Sequence, residues 1–268
     1  MKYLFLSVPP YSGSTVLHNY ITKCAEVSYL RVESRNEFKG LDVLGIIEGN
    51  AATSARVHYK EGFEPYCKVT PGKHIREIQN SSNYDWVKIK AAMDKNWGRN
   101  QQATVRLQKT PNDTYRVEMM QSVFDPMWIV MVRNPFAWAQ STIEKFLKRG
   151  VNPSDRAEDI AMHIVNTYKI QKQNQEFLGD KAYTMTFEDF VANTDKHIAG
   201  LKAWMPELDD LTFTGPCRVK EATVDGLADN NAERVALLKT IPGAVKKFEA
   251  LFAPYKEYIE AWGYSATL

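Results

Sequence analysis

The sequence has little cysteine and lacks any long apolar run. Its three cysteines, Cys24, Cys67 and Cys217, are odd in number and widely spaced, which argues against a disulfide framework or a zinc site. No window approaches about 18 uninterrupted apolar residues, so no transmembrane segment is expected. The first predicted strand begins at residue 3, so no cleavable leader is expected either. These absences predict a cytoplasmic protein with reduced thiols.

The chain also lacks an excess of charge of either sign. Its 34 Lys and Arg against 32 Asp and Glu give a formal net charge of +2, so no polyanion-binding surface and no nucleic-acid partner are expected. At 268 residues, 44% of them hydrophobic, the chain can bury one large core. The simplest organisation is therefore a single domain over residues 1–268.

Apolar runs that alternate with helical patterns predict an α/β fold. The runs at 3–8 and 127–132 are apolar enough to be strands buried on both faces. Shorter strands are predicted at 28–32, 104–108 and 183–187, with helical spacing between them. This alternation predicts a P-loop-like, doubly wound parallel sheet flanked by helices.

Two parts of the chain depart from this alternation. Residues from about 50 to 82 are rich in Gly, Pro, Ser and Asn, and are predicted to form an irregular insertion. From about 190 to 268 the pattern is mostly helical, with a loop-rich stretch at 206–230. Neither part is predicted to form a separate domain.

A short polar turn follows the first predicted strand and opens a helix. Such a turn aims free backbone N–H groups at one point, where the helix dipole favours an anion. Gly13 permits close backbone approach, and the hydroxyls of Ser14 and Thr15 add donors. The alternative is an ordinary strand–turn–helix with a Ser/Thr cap. The predicted phosphate cradle consists of Tyr11, Ser12, Gly13, Ser14, Thr15 and Val16.

This turn has one Gly and no Lys. A nucleoside-triphosphate loop reads G-x-x-x-x-G-K-[ST], with Lys on the terminal phosphates and a hydroxyl on magnesium. No carboxylate is clearly placed after a strand to bind that metal. A P-loop kinase is therefore the weaker alternative, and no metal site is predicted.

Charged side chains follow three other predicted strands. Glu33 and Arg35 follow the second strand, Lys109 the third and Arg133 the fourth. Each alone has an ordinary explanation as a surface ion pair or a solvated loop residue. Ligands of open parallel sheets bind beyond the carboxyl ends of the strands, so we expect these side chains to converge near the first turn.

The segment after the fourth strand carries a second anion-binding pattern, R-N-P-x-x-x-x-x-S. Arg133 can place two N–H groups on two oxygens of a phosphate, and Ser141 can donate a third hydrogen bond from the next helix. Pro135 suits the first turn of that helix. The alternative for Ser141 is a hydroxyl that bonds back to a carbonyl of its own helix.

These motifs resemble those of the sulfotransferases that use 3′-phosphoadenosine 5′-phosphosulfate (PAPS). The chain has P-x-S-G-S-T after its first strand and V-M-V-R-N-P-x-x-x-x-x-S about 120 residues later. The resemblance implies that residues 11–16 bind the 5′-phosphosulfate side, and that Arg133 and Ser141 bind the 3′-phosphate. It also implies PAPS as the donor co-substrate, without a metal.

Shorter elements resemble parts of the same family. Q-K-T-P at 108–111 resembles the K-[TS]-P element of the carbohydrate and heparan-sulfate branch. T-F-E-D-F at 186–190 resembles the family's Y-E-D-[LF] element, and A-W-G-Y at 261–264 a frequent family ending. The implied partner is an acceptor hydroxyl, with a saccharide favoured over a lipid-linked sugar, a peptide tyrosine or a small alcohol.

The resemblance assigns catalysis to two residues. Glu33 lies 20 residues beyond Gly13, and E-S-R at 33–35 resembles the E-[ST]-R of the tyrosine-sulfating branch. In that branch such a Glu is the catalytic base. Lys109 would stabilise the charge that develops on the bridging oxygen of the departing 5′-phosphate.

One position departs from the family pattern. Most members carry Lys or Arg directly before Ser-Gly, where this chain has Tyr11. A phenol brings no positive charge, so either Lys109 carries the electrostatic stabilisation or Arg35 or Arg218 supplies the missing charge. The alternative is a catalytically weak or inactive nucleotide-binding protein of the same fold.

Overall fold

A computed structural model describes residues 1–29, 85–94, 97, 102–148, 150, 152, 156–219, 222–225 and 228–268. Within these ranges the chain forms a five-stranded parallel sheet flanked by helices, so the predicted α/β fold is confirmed. The predicted insertion at about 50–82 lies outside the described residues, as do Glu33, Arg35 and Cys67. The single-domain organisation therefore stays a prediction.

The helices and strands are numbered here in chain order within the described ranges. The strands are β1 Lys2–Ser7, β2 Val27–Tyr29, β3 Val105–Lys109, β4 Met127–Val132, β5 Ala182–Thr186, β6 Pro216–Val219 and β7 Ala222–Asp225. The α-helices are α1 Ser14–Ile21, α2 Trp86–Asp94, α3 Val117–Phe124, α4 Pro135–Leu147, α5 Ala157–Leu178, α6 Phe187–Ala192, α7 Thr194–Trp204, α8 Asn231–Thr240, α9 Ala244–Phe252 and α10 Lys256–Glu260. Short 3₁₀ turns cover Pro111–Tyr115, Gly179–Lys181, Pro206–Leu208 and Ala253–Tyr255.

Strand β1 lies at the centre of the sheet, whose order is β2-β3-β1-β4-β5. Its Leu4 pairs with Leu107 of β3 on one side and with Met127 of β4 on the other, both in parallel. The chain winds to one edge through β2 and β3, then crosses to β4 and β5. The topological switch point, where ligands bind in open sheets, is therefore the loop after β1.

Both faces of the sheet are covered by apolar side chains. On one face Tyr3, Phe5 and Trp128 pack in a large cluster with the helices that follow β3 and β4. On the other face Leu4 and Leu6 pack with residues of α1. Because β1 is buried on both faces, its sequence is continuously apolar rather than alternating, as expected for a central parallel strand.

The stretch predicted as loop-rich, 206–230, contains an antiparallel hairpin. Strands β6 and β7 pair from Pro216 opposite Asp225 to Val219 opposite Ala222. A strand of four residues is too short to show an alternation of apolar and polar residues, so the sequence pattern did not indicate this hairpin. The hairpin lies against α1: the Tyr20 hydroxyl of α1 donates to the carbonyl of Gly215, the residue before β6, at 2.9 Å.

Two predicted helices have different boundaries in the structure. Apolar residues at helical spacing predict a helix from Thr15 to Val27, but α1 ends at Ile21. A helix is likewise predicted from about Asn112 to Ser122, and there the chain begins as a 3₁₀ turn, Pro111–Tyr115, before α3. No helix in the described ranges is long and apolar enough to cross a membrane.

Candidate functional site

The loop between β1 and α1 has an unusual backbone. Tyr11 and Gly13 both adopt positive φ angles, 65° and 81°. A Cβ atom on Gly13 would lie 2.6 Å from a ring carbon of Phe187, a separation that real contacts do not reach. Glycine is thus required at position 13 by conformation and by space.

The same loop contains a buried hydroxyl that no described residue satisfies. Ser12 is fully buried, and its Oγ atom has no hydrogen-bond partner in the described ranges. Gly13 is the N-cap of α1, and no side chain there caps the helix, so the Ser/Thr-cap alternative is not what the structure has. Since an unsatisfied buried polar group costs roughly 1–3 kcal/mol, this loop is suited to receive a ligand.

Lys109 lies beside this loop, as the sequence predicted for the end of the third strand. It is the last residue of β3 and is only 2% exposed. Its Nζ atom donates to Thr15 Oγ1 in the first turn of α1, at 3.2 Å. Burial of an ammonium group is costly unless polar or anionic groups surround it, so this lysine makes the site favourable for an anion.

Arg133 connects the second motif to the same loop. It follows β4, is 5% exposed, and donates from Nη1 to the Tyr11 carbonyl oxygen at 2.7 Å. Its guanidinium carbon lies 5.0 Å from the centroid of the Phe187 ring. Burial lowers the pKa of Arg133, and the nearby Glu188 carboxylate opposes that shift. The predicted convergence of Lys109 and Arg133 on the first loop is thus what the structure has.

Two consecutive asparagines accept further hydrogen bonds from Arg133. Its Nε atom donates to Asn231 Oδ1 at 2.5 Å, and its Nη2 atom donates to Asn230 Oδ1 at 2.6 Å. These residues lie at the start of α8, about 100 positions from Arg133 in the sequence. No motif or spacing marked them, so sequence reasoning missed them.

Asn134 caps the helix that begins directly after β4 and Arg133. Its side-chain oxygen accepts hydrogen bonds from Phe136 N at 3.0 Å and Ala137 N at 3.1 Å, which caps α4. Pro135 occupies the first turn, where its missing N–H leaves no gap. The R-N-P sequence therefore places Arg133 directly at the carboxyl end of β4.

Ser141 forms a hydrogen bond within its own helix, which was the alternative to phosphate binding. Its hydroxyl donates to the Ala137 carbonyl at 2.9 Å, a common arrangement for serine within a helix. Because its proton is engaged with Ala137, the hydroxyl would have to turn away from that carbonyl to donate to a phosphate. The role of Ser141 in phosphate binding stays a prediction.

Glu188 organises the groups around Arg133. Its Oε1 atom accepts from the Asn134 N–H at 2.9 Å and from Asn231 Nδ2, and its Oε2 atom accepts from the Tyr264 hydroxyl. Burial, with the Glu188 charge and hydrogen bond, raises the pKa of Tyr264. The T-F-E-D-F and A-W-G-Y elements therefore meet beside Arg133, which the sequence did not reveal.

Helix α5 fixes the carboxyl ends of the two central strands. Gln171 donates from Nε2 to the carbonyl of Ser7 at 2.6 Å and to that of Met131 at 3.1 Å. The Tyr168 hydroxyl donates to the Arg133 carbonyl. Because these bonds hold the ends of β1 and β4, they fix the positions from which the first loop and Arg133 begin.

Three other predicted site residues are Glu33, Arg218 and Val16. Glu33 lies outside the described residues. Arg218 lies in β6, opposite Thr223 of β7, and its side chain is not described. Val16 is half-buried and packs against the core cluster on the α1 face of the sheet. Within the described ranges, no group of three or more His, Cys, Asp or Glu side chains could hold a metal ion.

No family model matches the chain, and the comparison with curated proteins found no match. Among solved structures, the sulfotransferase STF9 from Mycobacterium avium is similar with a TM-score of 0.52, at 10% identity, over 97% of this chain and 76% of that chain. The sulfotransferase domain from the curacin biosynthetic pathway has a TM-score of 0.49, at 15% identity, over 94% of this chain and 96% of that chain. The chain therefore shares its α/β fold with the Mycobacterium avium sulfotransferase.

Proposed function

We propose that this chain is a sulfotransferase that transfers a sulfuryl group from PAPS to an acceptor hydroxyl. The observation that carries the proposal is that two buried basic side chains from separate strands converge on one loop. Lys109 contacts that loop through Thr15, and Arg133 contacts it through Tyr11. A donor with anionic groups at both ends of an adenosine needs two such cationic anchors.

The first loop fits the 5′ end of this donor. The buried Ser12 hydroxyl, unsatisfied within the described ranges, can donate to a phosphate oxygen. The uncapped first turn of α1 offers backbone N–H groups, and its dipole favours negative charge. Gly13 lets the loop adopt its positive φ and pack directly against Phe187, where a side chain would be excluded.

Arg133 fits the 3′ end. A guanidinium has five N–H donors, and three of them are engaged among the described residues. The remaining donors can bind a phosphate, with Ser141 as a proposed additional contact. A nucleotide without a 3′-phosphate would lack these interactions, so Arg133 distinguishes PAPS from ordinary adenine nucleotides.

When bound, PAPS supplies an activated sulfuryl group whose leaving group is a nucleoside bisphosphate. Lys109 stabilises negative charge as it develops next to the first loop, and this positioned charge is the largest contribution expected of the chain. Transfer by a loose transition state, as in phosphoryl transfer, depends mainly on positioning and charge neutralisation. Glu33 is the proposed base that accepts the proton of the acceptor hydroxyl.

The acceptor is proposed to be a saccharide or glycoconjugate. This part of the proposal depends only on the resemblance of residues 108–111 to the K-[TS]-P element. A lipid-linked sugar, a peptide tyrosine and a small alcohol are the other candidates. A panel of these four acceptor classes, assayed for sulfuryl transfer from PAPS, discriminates among them.

Calorimetry with adenosine 3′,5′-bisphosphate, 5′-AMP and ATP tests the donor without an acceptor. We expect the bisphosphate to bind at least about tenfold more tightly than 5′-AMP, because only the bisphosphate can occupy Arg133. ATP should bind no better than 5′-AMP. Equal affinities for the bisphosphate and 5′-AMP would overturn the donor assignment.

A second candidate function is nucleotide binding without catalysis, and Tyr11 is the observation that favours it. Since Tyr11 supplies no charge where the resembled family has Lys or Arg, the Tyr11→Lys variant should raise turnover about tenfold or more while bisphosphate affinity changes little. The rate of sulfuryl transfer measures this. Tight bisphosphate binding, with no transfer by either protein to any acceptor, would instead support the binding protein.

A further inference from the structure

Two amide oxygens occupy one edge of the Arg133 guanidinium. Asn231 Oδ1 lies 2.5 Å from Nε, and Asn230 Oδ1 lies 2.6 Å from Nη2. The N–H of Nε and one N–H of Nη2 point in the same direction and form the fork that binds two oxygens of one carboxylate or phosphate. The two asparagines therefore present to Arg133 the oxygen pattern of an anion, without its charge.

The two asparagines differ in how firmly they are held. Asn231 is buried, its Nδ2 atom donates to Glu188, and its backbone N–H donates to Asp229 Oδ1 at 2.8 Å. Asn230 is half-buried and is the N-cap residue of α8, yet its side chain does not cap that helix. Instead its oxygen accepts the hydrogen bond from Arg133.

The Asn230 side chain has an alternative set of hydrogen-bond donors, in the first turn of α8. Asparagine is among the best N-cap residues, because its side-chain oxygen accepts from the N–H groups two or three positions along the helix. If Asn230 released Arg133, its oxygen could accept from the N–H groups in the first turn of α8. The exchange would replace one hydrogen bond by another, so its free-energy cost is small.

We propose that Asn230 is an internal competitor for the 3′-phosphate of the nucleotide, an inference that rests on the proposed function. Without nucleotide, Asn230 accepts the Nη2 hydrogen bond of Arg133. With nucleotide, the phosphate binds the two remaining N–H donors of Arg133 and one of its oxygens also takes the N–H that Asn230 held. Asn230 then turns to cap α8, while Asn231 stays on Nε and positions the guanidinium. The competitor weakens binding of the bisphosphate product and so speeds its release.

The test compares wild type with Asn230→Ala and Asn230→Asp by calorimetry. Removing the competitor should tighten adenosine 3′,5′-bisphosphate binding about fivefold to tenfold, with 5′-AMP affinity unchanged because that nucleotide has no 3′-phosphate. A carboxylate at position 230 should compete more strongly and weaken bisphosphate binding about tenfold or more. Stopped-flow measurement should show slower bisphosphate release from Asn230→Ala.

Asn193→Ala is a matched control, since Asn193 is likewise an N-cap residue and bonds instead to Asp189. It should leave both affinities unchanged. If wild type prefers the bisphosphate and Asn230→Ala binds it equally or more weakly, Asn230 merely supports Arg133, and the competitor is overturned while the proposed function stands. If wild type does not prefer the bisphosphate to 5′-AMP, both proposals fail, whatever the affinities of Asn230→Ala.

Discussion

At the scale of single residues, the site depends on where charge is buried. Lys109 and Arg133 are each almost entirely removed from solvent, and each is held against the first loop by a hydrogen bond. A charge in a low-dielectric site interacts with a bound anion far more strongly than a surface charge does. Two side chains can therefore supply the electrostatics of the whole site.

Replacing Lys109 by methionine tests its role in stabilising developing charge. We expect kcat to fall about 10²- to 10³-fold, with a smaller change in bisphosphate affinity, because the charge matters most in the transition state. Steady-state kinetics and calorimetry on the same protein give the two values. The exposed Lys88→Met is the control and should leave kcat unchanged, and an unchanged kcat in Lys109→Met would remove this lysine from catalysis.

Gly13→Ala tests whether the first loop needs its close contact with Phe187. The added methyl group meets both the ring and a φ of +81°, so the free energy of unfolding should fall by about 1–3 kcal/mol, with loss of bisphosphate binding. Gly150→Ala has a similar φ of +70°, and no atom of the described residues lies within 4 Å of the new Cβ. Denaturant unfolding of both variants separates the two costs, and equal losses would mean that the ring contact is unimportant.

At the scale of elements, the site is assembled by strand ends and helix starts that meet at one edge of the sheet. The first loop follows β1, Lys109 is the last residue of β3, and Arg133 directly follows β4. Helix α6 begins directly after β5 and brings Glu188 to the amide of Asn134. Each of these elements contributes one or two groups, so the site exists only when the sheet is complete.

Glu188→Gln tests the link between α6 and Arg133. An amide has only one acceptor oxygen, so one of the donors now bonded to Glu188 would face an NH₂ group. We expect the free energy of unfolding to fall by about 1–3 kcal/mol, and the preference for adenosine 3′,5′-bisphosphate over 5′-AMP to fall as Asn231 loses its position. Calorimetry measures that preference. Glu118→Gln, on the exposed side of α3, should change neither quantity, and a retained preference in Glu188→Gln would refute the link.

The elements themselves were largely predictable. Strand β4 was predicted with its observed ends, because a strand buried on both faces is apolar at every position and stops at the first charged residue, Arg133. The β6–β7 hairpin was not predicted, because four-residue strands show no measurable period. The roles of Asn230 and Asn231 were not predictable either, since their contacts to Arg133 are fixed by how α8 packs and not by any local pattern.

At the scale of the whole molecule, the edge of the sheet opposite the site carries a polar cluster that joins α2 to β1. Asp94 accepts hydrogen bonds from the Tyr3 hydroxyl at 2.6 Å, from Lys90 at 2.5 Å and from Trp97 Nε1 at 3.1 Å. Burial acts to raise the pKa of Asp94, but these hydrogen bonds outweigh it and lower the pKa below its ordinary value. The carboxylate therefore stabilises the fold in its charged form.

This lowered pKa predicts how acid affects stability. A carboxyl group with a lower pKa in the folded state stabilises the protein above its unfolded pKa of about 4, and the contribution is lost as the pH falls through the folded value. Asp94→Asn should therefore show a shallower decline in the free energy of unfolding below about pH 4. Urea unfolding at several pH values measures this. The exposed Asp180→Asn should keep the wild-type slope, and an unaltered slope in Asp94→Asn would contradict the prediction.

The ring of Phe187 has a consequence for which molecules the site can discriminate. It touches the backbone of Gly13 on one side and faces the guanidinium of Arg133 on the other. An aromatic ring cannot shorten or lengthen as a flexible aliphatic chain can, so it fixes the distance between the first loop at Gly13 and the guanidinium of Arg133. Molecules whose two anionic groups are spaced differently would then reach the first loop or Arg133 but not both, so the distance between charges would contribute to selection as well as their number.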